Sequence, residues 1–238
     1  MKFTQLSVLM MIFFMTACSP GQLQNVVKDA MSNGTLTNAQ IGKGLKEALE
    51  IGIGKGATQL SALNGYFESP YKILLPPEAR QITDKLQKIP GFSQVENEIV
   101  KRLNRGAEDA AKKAKPIFVN AIKSMSIADA SKVLMGGQDA ATTYLKNATL
   151  TELTSSFTPV IQNSLDEFQA RKYWSDAVNA YNKIPFVVKA NPNLDEYVTQ
   201  QALNGLFGMV EKEEANIRTN VSARTTDLLK KVFAKQDN

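Results

Sequence analysis

The sequence predicts an all-α fold: a single multi-helix domain of roughly eight to ten helices, preceded by a lipoprotein signal peptide. Three observations point there. Apolar residues recur at three- and four-residue intervals through most of the chain. Four segments of the form Thr/Ser/Asn-x-x-Gln/Asp/Glu stand where such stretches begin, as helix-capping residues do. No run alternates apolar and polar residues in the way a half-buried strand requires.

Residues 1–17 read as a processing segment. Lys2 gives a minimal positive start, and Leu6 to Met15 is apolar except for Ser7. That run falls short of the roughly 20 residues a membrane span needs, but it suits a signal-peptide core. Thr16 and Ala17 then lead into Cys18, the chain's sole cysteine. The arrangement resembles the bacterial lipobox, with Met15 where Leu is usual; the other reading is an ordinary secretory signal with an incidental cysteine. Under the lipobox reading Cys18 carries the lipid, so the expected partner is the membrane. Ser19 in place of Asp favours the outer membrane, facing the periplasm. Residues 18–36 form a short tether, and 37–238 form the domain.

Within the domain, Thr37 and Gln40 open a helix whose apolar positions include Ile41, Leu45, Leu49 and Ile53. A turn at "NGYFESP" ends it. "YKILLPP", 71–77, is the best extended segment, and its prolines can begin the next helix, 77–89. From Gln94, the stripe Val95, Ile99, Leu103, Ala107, Ala110 and Ala114 predicts a long amphipathic helix, which Pro116 kinks or divides. Ser126 and Asp129 cap another helix, ended by the glycines at 136 and 137. "DAATTYLKN" makes a short helix, and Thr149 with Glu152 opens a separate one despite Pro159. A Tyr173–Trp174 segment runs to Pro185. Asn193 and Glu196 open a helix over 194–218, and a last helix spans 222–234.

Composition narrows the chemistry. With 43% hydrophobic residues the chain can bury a sizeable core. The formal charge of +5 is spread along the sequence rather than clustered, and no aromatic or glycine-loop signature of nucleic-acid binding accompanies it. There is no histidine, which removes His-based triads, His-ligated metals and the usual general base near neutral pH. With Cys18 acylated, thiolate chemistry goes too. No metal site and no cofactor are predicted, and a binding or interaction role outweighs catalysis. The alternative is a carboxylate-dependent hydrolase acting on envelope polymers. "GIGKGA", 52–57, lacks the spacing and preceding strand of a phosphate loop; its glycines fit close helix–helix approach.

The blocks "AKPIFVNAIKSMSIADASKVLMGGQDAATTYL" and "LDEYVTQQALNGLFGMVEKEEANIRTNVSARTTDLLKKVF", with "GLKEAL", "NGYF" and "RLNRGAEDAA", resemble the bacterial family catalogued as domain of unknown function 4197. The resemblance spans roughly residues 37–234 and implies an all-helical, exported, often lipid-anchored protein with no established activity. Val221, where the family has Pro, and the tail "AKQDN" depart from it.

Polar residues on apolar stripes are the remaining candidates for a site. Glu213 interrupts the stripe Leu194, Val198, Ala202, Leu206, Val210 and Ile217, and Glu214 stands four residues before Arg218. Thr225 falls on the stripe of the last helix, flanked by Arg224 and Asp227. Glu213 is expected to meet Arg224 or Arg218 in a clasp joining the last two helices. The same residues could instead wall a ligand or partner site, with Asn104, Arg105, Glu108, Asp139, Thr142 and Thr143 as further members. The partner would be another envelope protein or an apolar small molecule held between helices.

Overall fold

The computed structural model describes residues 36–88, 93–167, 169–190 and 194–234, without the side chains of Pro77, Glu78 and Gln81. The signal segment, Cys18, the tether, Asn193 and the tail after 234 lie outside the described residues. Residues from Thr37 onward make one compact unit. Among the described residues it is built from nine α-helices and one 3-10 turn, with no strand: α1 (Asn38–Ser61), α2 (Pro77–Leu86), α3 (Val95–Ala111), α4 (Ala114–Ser124), α5 (Ile127–Met135), α6 (Ala140–Glu167), α7 (Ala170–Asn182), α8 (Asp195–Thr219), the turn Val221–Ala223, and α9 (Asp227–Phe233).

α1 starts as its sequence demands. Thr37 Oγ1 accepts from Gln40 N at 3.2 Å, and Thr37 N donates to Gln40 Oε1 at 2.9 Å, closing a capping box. One face of α1 lies along α8, α5, α4 and α9. Its glycines make that approach possible: an added Cβ would stand 2.6 Å from Val232 Cγ2 at Gly44 and 2.7 Å from Met209 Cγ at Gly56. α6 runs between α8 and α3, and α2 and α7 pack on each other and on α3. Leu45, Leu60, Ile99, Leu103, Phe118, Phe157, Ile161 and Leu206 are buried where these helices meet. The rings of Phe118 and Phe207 join α4 to α8 edge to face, 5.8 Å apart.

Several boundaries differ from the sequence expectation, each for a local reason. The segments 139–147 and 149–167 are one helix, α6. Thr149 does not cap a new helix, because its hydroxyl is buried and donates back to Leu145 O at 2.7 Å. Pro159 is accommodated inside it, and Ser155, whose carbonyl loses its helical donor, lies on the exposed side. The break between α3 and α4 falls at Lys112 and Lys113, before Pro116. Pro116 then occupies the first turn of α4, where its missing N–H has no helical acceptor to lose. The final helix begins at Asp227 rather than 222, capped by Thr226 Oγ1 accepting from Leu229 N at 3.2 Å. The segment 72–76 is extended loop.

Candidate functional site

The polar residues singled out from the sequence separate into two buried staples, a buried Glu213 outside both, and a set of exposed positions. The first staple belongs to the C-terminal half of α8. Because α8 has α1 on one side and α6 on another, adjacent positions on it are both buried, and Glu213 and Glu214 are 6% and 5% exposed. Glu214 reaches the start of α6. Its Oε1 accepts from Ala141 N at 2.9 Å, and its Oε2 accepts from Thr142 N and Thr142 Oγ1, each at 2.8 Å. A carboxylate at a helix N-terminus answers amides that have no helical acceptor and meets the positive end of the dipole.

Arg218, one turn further on, donates its Nε to Glu214 Oε1 at 2.9 Å. Its remaining reach goes to the other side of the "GG" turn, donating to Val133 O at 2.8 Å and Leu134 O at 3.1 Å. A cation thus sits on the last carbonyls of α5, and an anion on the first amides of α6. One ion pair on α8 holds both ends of a helix–turn–helix corner. Arg224, 1% exposed, finishes α8 itself: its Nε donates to Ile217 O at 3.0 Å and its Nη2 to Arg218 O at 2.8 Å.

The buried ion pair therefore uses a different carboxylate from the one expected, and it joins α8 to the α5–α6 corner rather than to the last helix. Glu213 meets neither Arg218 nor Arg224 among the contacts seen; its Oε2 lies 3.2 Å from Lys55 Nζ on α1. Thr225 precedes α9 and is exposed, as are Asp227, Asp139 and Thr143. Asp227 pairs with Lys230 at 3.5 Å, and Thr143 belongs to the outer side of α6. These four take no part in either staple.

The second staple is carried by α3 and grips the loop between α1 and α2. That loop turns at Asn64, whose φ is 66°, and at Gly65, where a Cβ would stand 2.3 Å from Gln59 O. The turn drives Tyr66 into the core. Glu108 Oε1 accepts from Tyr66 N at 3.2 Å and Phe67 N at 3.3 Å. Its other oxygen takes Arg105 Nη1, and Arg105 Nη2 reaches Asn64 Oδ1. Further along, Asn104 treats Ile73 as a neighbouring strand would. Its Oδ1 accepts from Ile73 N and its Nδ2 donates to Ile73 O, both at 2.8 Å. Tyr66 Oη closes the grip on α8 by donating to Ala202 O at 2.7 Å. Burial, then the nearby Glu108 charge, pushes this phenol far above its ordinary range.

Sequence reasoning missed some members. Lys55 was seen only as part of the glycine-rich stretch. Asp195 accepts from Arg171 Nε and from Gln162 Nε2, each at 3.1 Å, tying the start of α8 to α7 and α6. Asp109 accepts from Ser164 Oγ at 2.8 Å across α3 and α6, and its hydrogen bond with Lys112 holds its carboxyl below the usual range. Their one sequence signal is an acidic residue beside an apolar stripe, which many solvated residues share.

Among the described residues, no group of three or more acidic or cysteine side chains is placed to hold a metal ion. A hole lined by Leu45, Leu49, Ala141, Ile217 and Phe233, next to Glu214 and Arg218, measures about 10 Å³, about one water. On the outer side of α1, Lys43, Lys46, Glu47 and Glu50 border an open trough of about 420 Å³ that ends at Ile127.

Fold and staples define an all-helical domain whose buried charges, Glu213 apart, are turned largely onto backbone groups. The family described as protein of unknown function (DUF4197) matches residues 35–234, and the chain belongs to it. No curated protein and no solved structure matches the chain.

Proposed function

We propose that this chain is a lipid-anchored protein of the bacterial envelope that works by binding rather than by catalysis. The observation that carries the reading is the use made of the buried carboxylates. A carboxylate hydrolase needs two facing acids with oxygens free for substrate or water. The oxygens of Glu108 and Glu214 are instead occupied by main-chain amides, a hydroxyl and guanidinium groups. The hole beside Glu214 is far below the 300–1,000 Å³ typical of small-molecule sites. A second envelope protein on the outer surface is thus a better partner than an apolar molecule between the helices, and the mixed-charge trough along α1 is the surface offered for it.

Anchoring rests on Cys18 following the apolar stretch 6–15, with the outer membrane, periplasmic side, as the address. Its test is Cys18→Ser, followed by acyl labelling and membrane fractionation. The expected result is loss of label and of correct membrane partitioning, because the thiol is the acceptor. An unlabelled parent chain that partitions like the variant would overturn the anchor. Crosslinking from Lys43 or Glu47 in intact envelopes tests the partner, with specific protein adducts expected.

A further inference from the structure

The loop between α7 and α8 projects an apolar tip. Phe186 and Val188 are fully and almost fully exposed, at 107% and 88%. Phe186 adopts a φ of 64°, a left-handed conformation that a bulky side chain rarely takes. The projection is held at its base: Ala190 N donates to Asn182 Oδ1 at 3.0 Å, and Ile184 N donates to Tyr181 O at 2.9 Å. Pro185 stiffens the rise to the tip. Lys183 and Lys189 flank it, both exposed, and residues 177–190 contain no acidic side chain. From α2, Lys85 adds its ammonium 5.4 Å from the Tyr181 ring at the foot of the loop.

We infer that this tip inserts into the headgroup region of an anionic phospholipid bilayer, with Phe186 and Val188 entering and Lys183 and Lys189 resting on the phosphates. Phe and other apolar side chains gain by entering the boundary between headgroups and acyl chains, and each basic residue near an anionic surface is attracted to it. A rim of acidic residues would oppose this placement, and the loop has none. The inference rests on the proposed anchor in one respect: the chain from Cys18 to Thr37 spans at most about 65 Å, which keeps a bilayer within reach of the domain. It gives the anchored domain a second contact and hence a fixed orientation on the membrane.

The test uses the full chain with Val188→Cys, reconstituted in phosphatidylethanolamine vesicles containing about one third phosphatidylglycerol and labelled with an environment-sensitive thiol dye. Asp139→Cys, in an exposed turn, is the control. The expected dye at 188 shifts to the blue and is quenched by nitroxide lipids, while the dye at 139 stays aqueous. Phe186→Ser should lower the inserted fraction about tenfold, and Lys183→Gln or Lys189→Gln about fivefold each. A dye at 188 as aqueous as that at 139, or equally inserted in vesicles without phosphatidylglycerol, overturns the assignment. The anchor reads out separately. An acylated Cys18 leaves one dye per chain, and a free Cys18 gives two; repeating the comparison on the Cys18→Ser background then tests the tip alone.

Discussion

Glu213 and Glu214 differ by one position, and that position decides what each does. The sequence marks Glu213 because it completes a stripe spaced for one buried face. A residue advances about 100° around a helix, so a helix packed on two sides buries its neighbour as well. Glu214 therefore meets α6 while Glu213 meets the long, exposed side chain of Lys55 on α1. That second face comes from the packing of α1 and α6, which no single-helix periodicity contains. Asn104, Arg105 and Glu108 were legible as candidates for the wall of a binding site; that they answer one loop was not. Tyr66 offers a test at this scale. Its raised pKa means the folded chain keeps the phenolic proton where an unfolded tyrosine, near 10.0, has lost it. Its contribution is fully present below about pH 10 and declines as pH rises beyond. Tyr66→Phe should cost about 1 kcal/mol at pH 8, for the lost hydrogen bond to Ala202 O. It should also weaken the further loss between about pH 8 and pH 10.5, although Tyr71 and Tyr144, also shifted upward, keep some. Denaturant melts at both pH values measure this; equal losses in parent and variant would exclude Tyr66 as a titrating group.

At the scale of elements, the all-helical class and most helix positions were legible because caps and periodicity agree locally. Thr37 and Ser126 accept from Gln40 N and Asp129 N as their spacing predicts. Thr149 shows why the same signature fails elsewhere: with no proline or glycine before it, the helix continues, and its hydroxyl turns back to Leu145. The glycines of 52–57 read from the sequence as sites of close approach; the structure adds Gly44, and substitutions separate the glycines that are such sites from those that are not. At Gly44 an alanine Cβ meets the β-branched Val232 at 2.6 Å; at Gly54 the nearest atom is Lys115 Cε at 3.7 Å, an ordinary contact. Gly54→Ala should raise stability by about 0.5–1 kcal/mol through helix propensity alone. Gly44→Ala should lower it by about 1–2 kcal/mol, since overpacking outweighs that gain. Opposite shifts in thermal midpoint are expected, and shifts of one sign would contradict the packing described.

For the whole molecule, the two staples explain how an irregular helical array with long loops is fixed. α8 sets the α5–α6 corner through Glu214 and Arg218, and α3 sets the α1–α2 loop through Asn104 and Glu108. The polar residues of both clusters stand out in the sequence; their division needed the fold, because their partners are mainly backbone groups, which carry no sequence signature. These buried charges act on the fold, and the binding role proposed above falls to the outer surface. The most direct measurement compares denaturant melts of Glu214→Gln and Glu213→Ala with the parent. Glu214→Gln turns an amide toward the α6 donors or leaves Arg218 without its anion, and should cost about 3–5 kcal/mol. Glu213→Ala loses a pair whose lysine is 62% exposed and should cost about 1 kcal/mol or less. A Glu214→Gln chain as stable as the parent, or stabler, would contradict the claim and mark the α5–α6 corner as a site held at the expense of the fold.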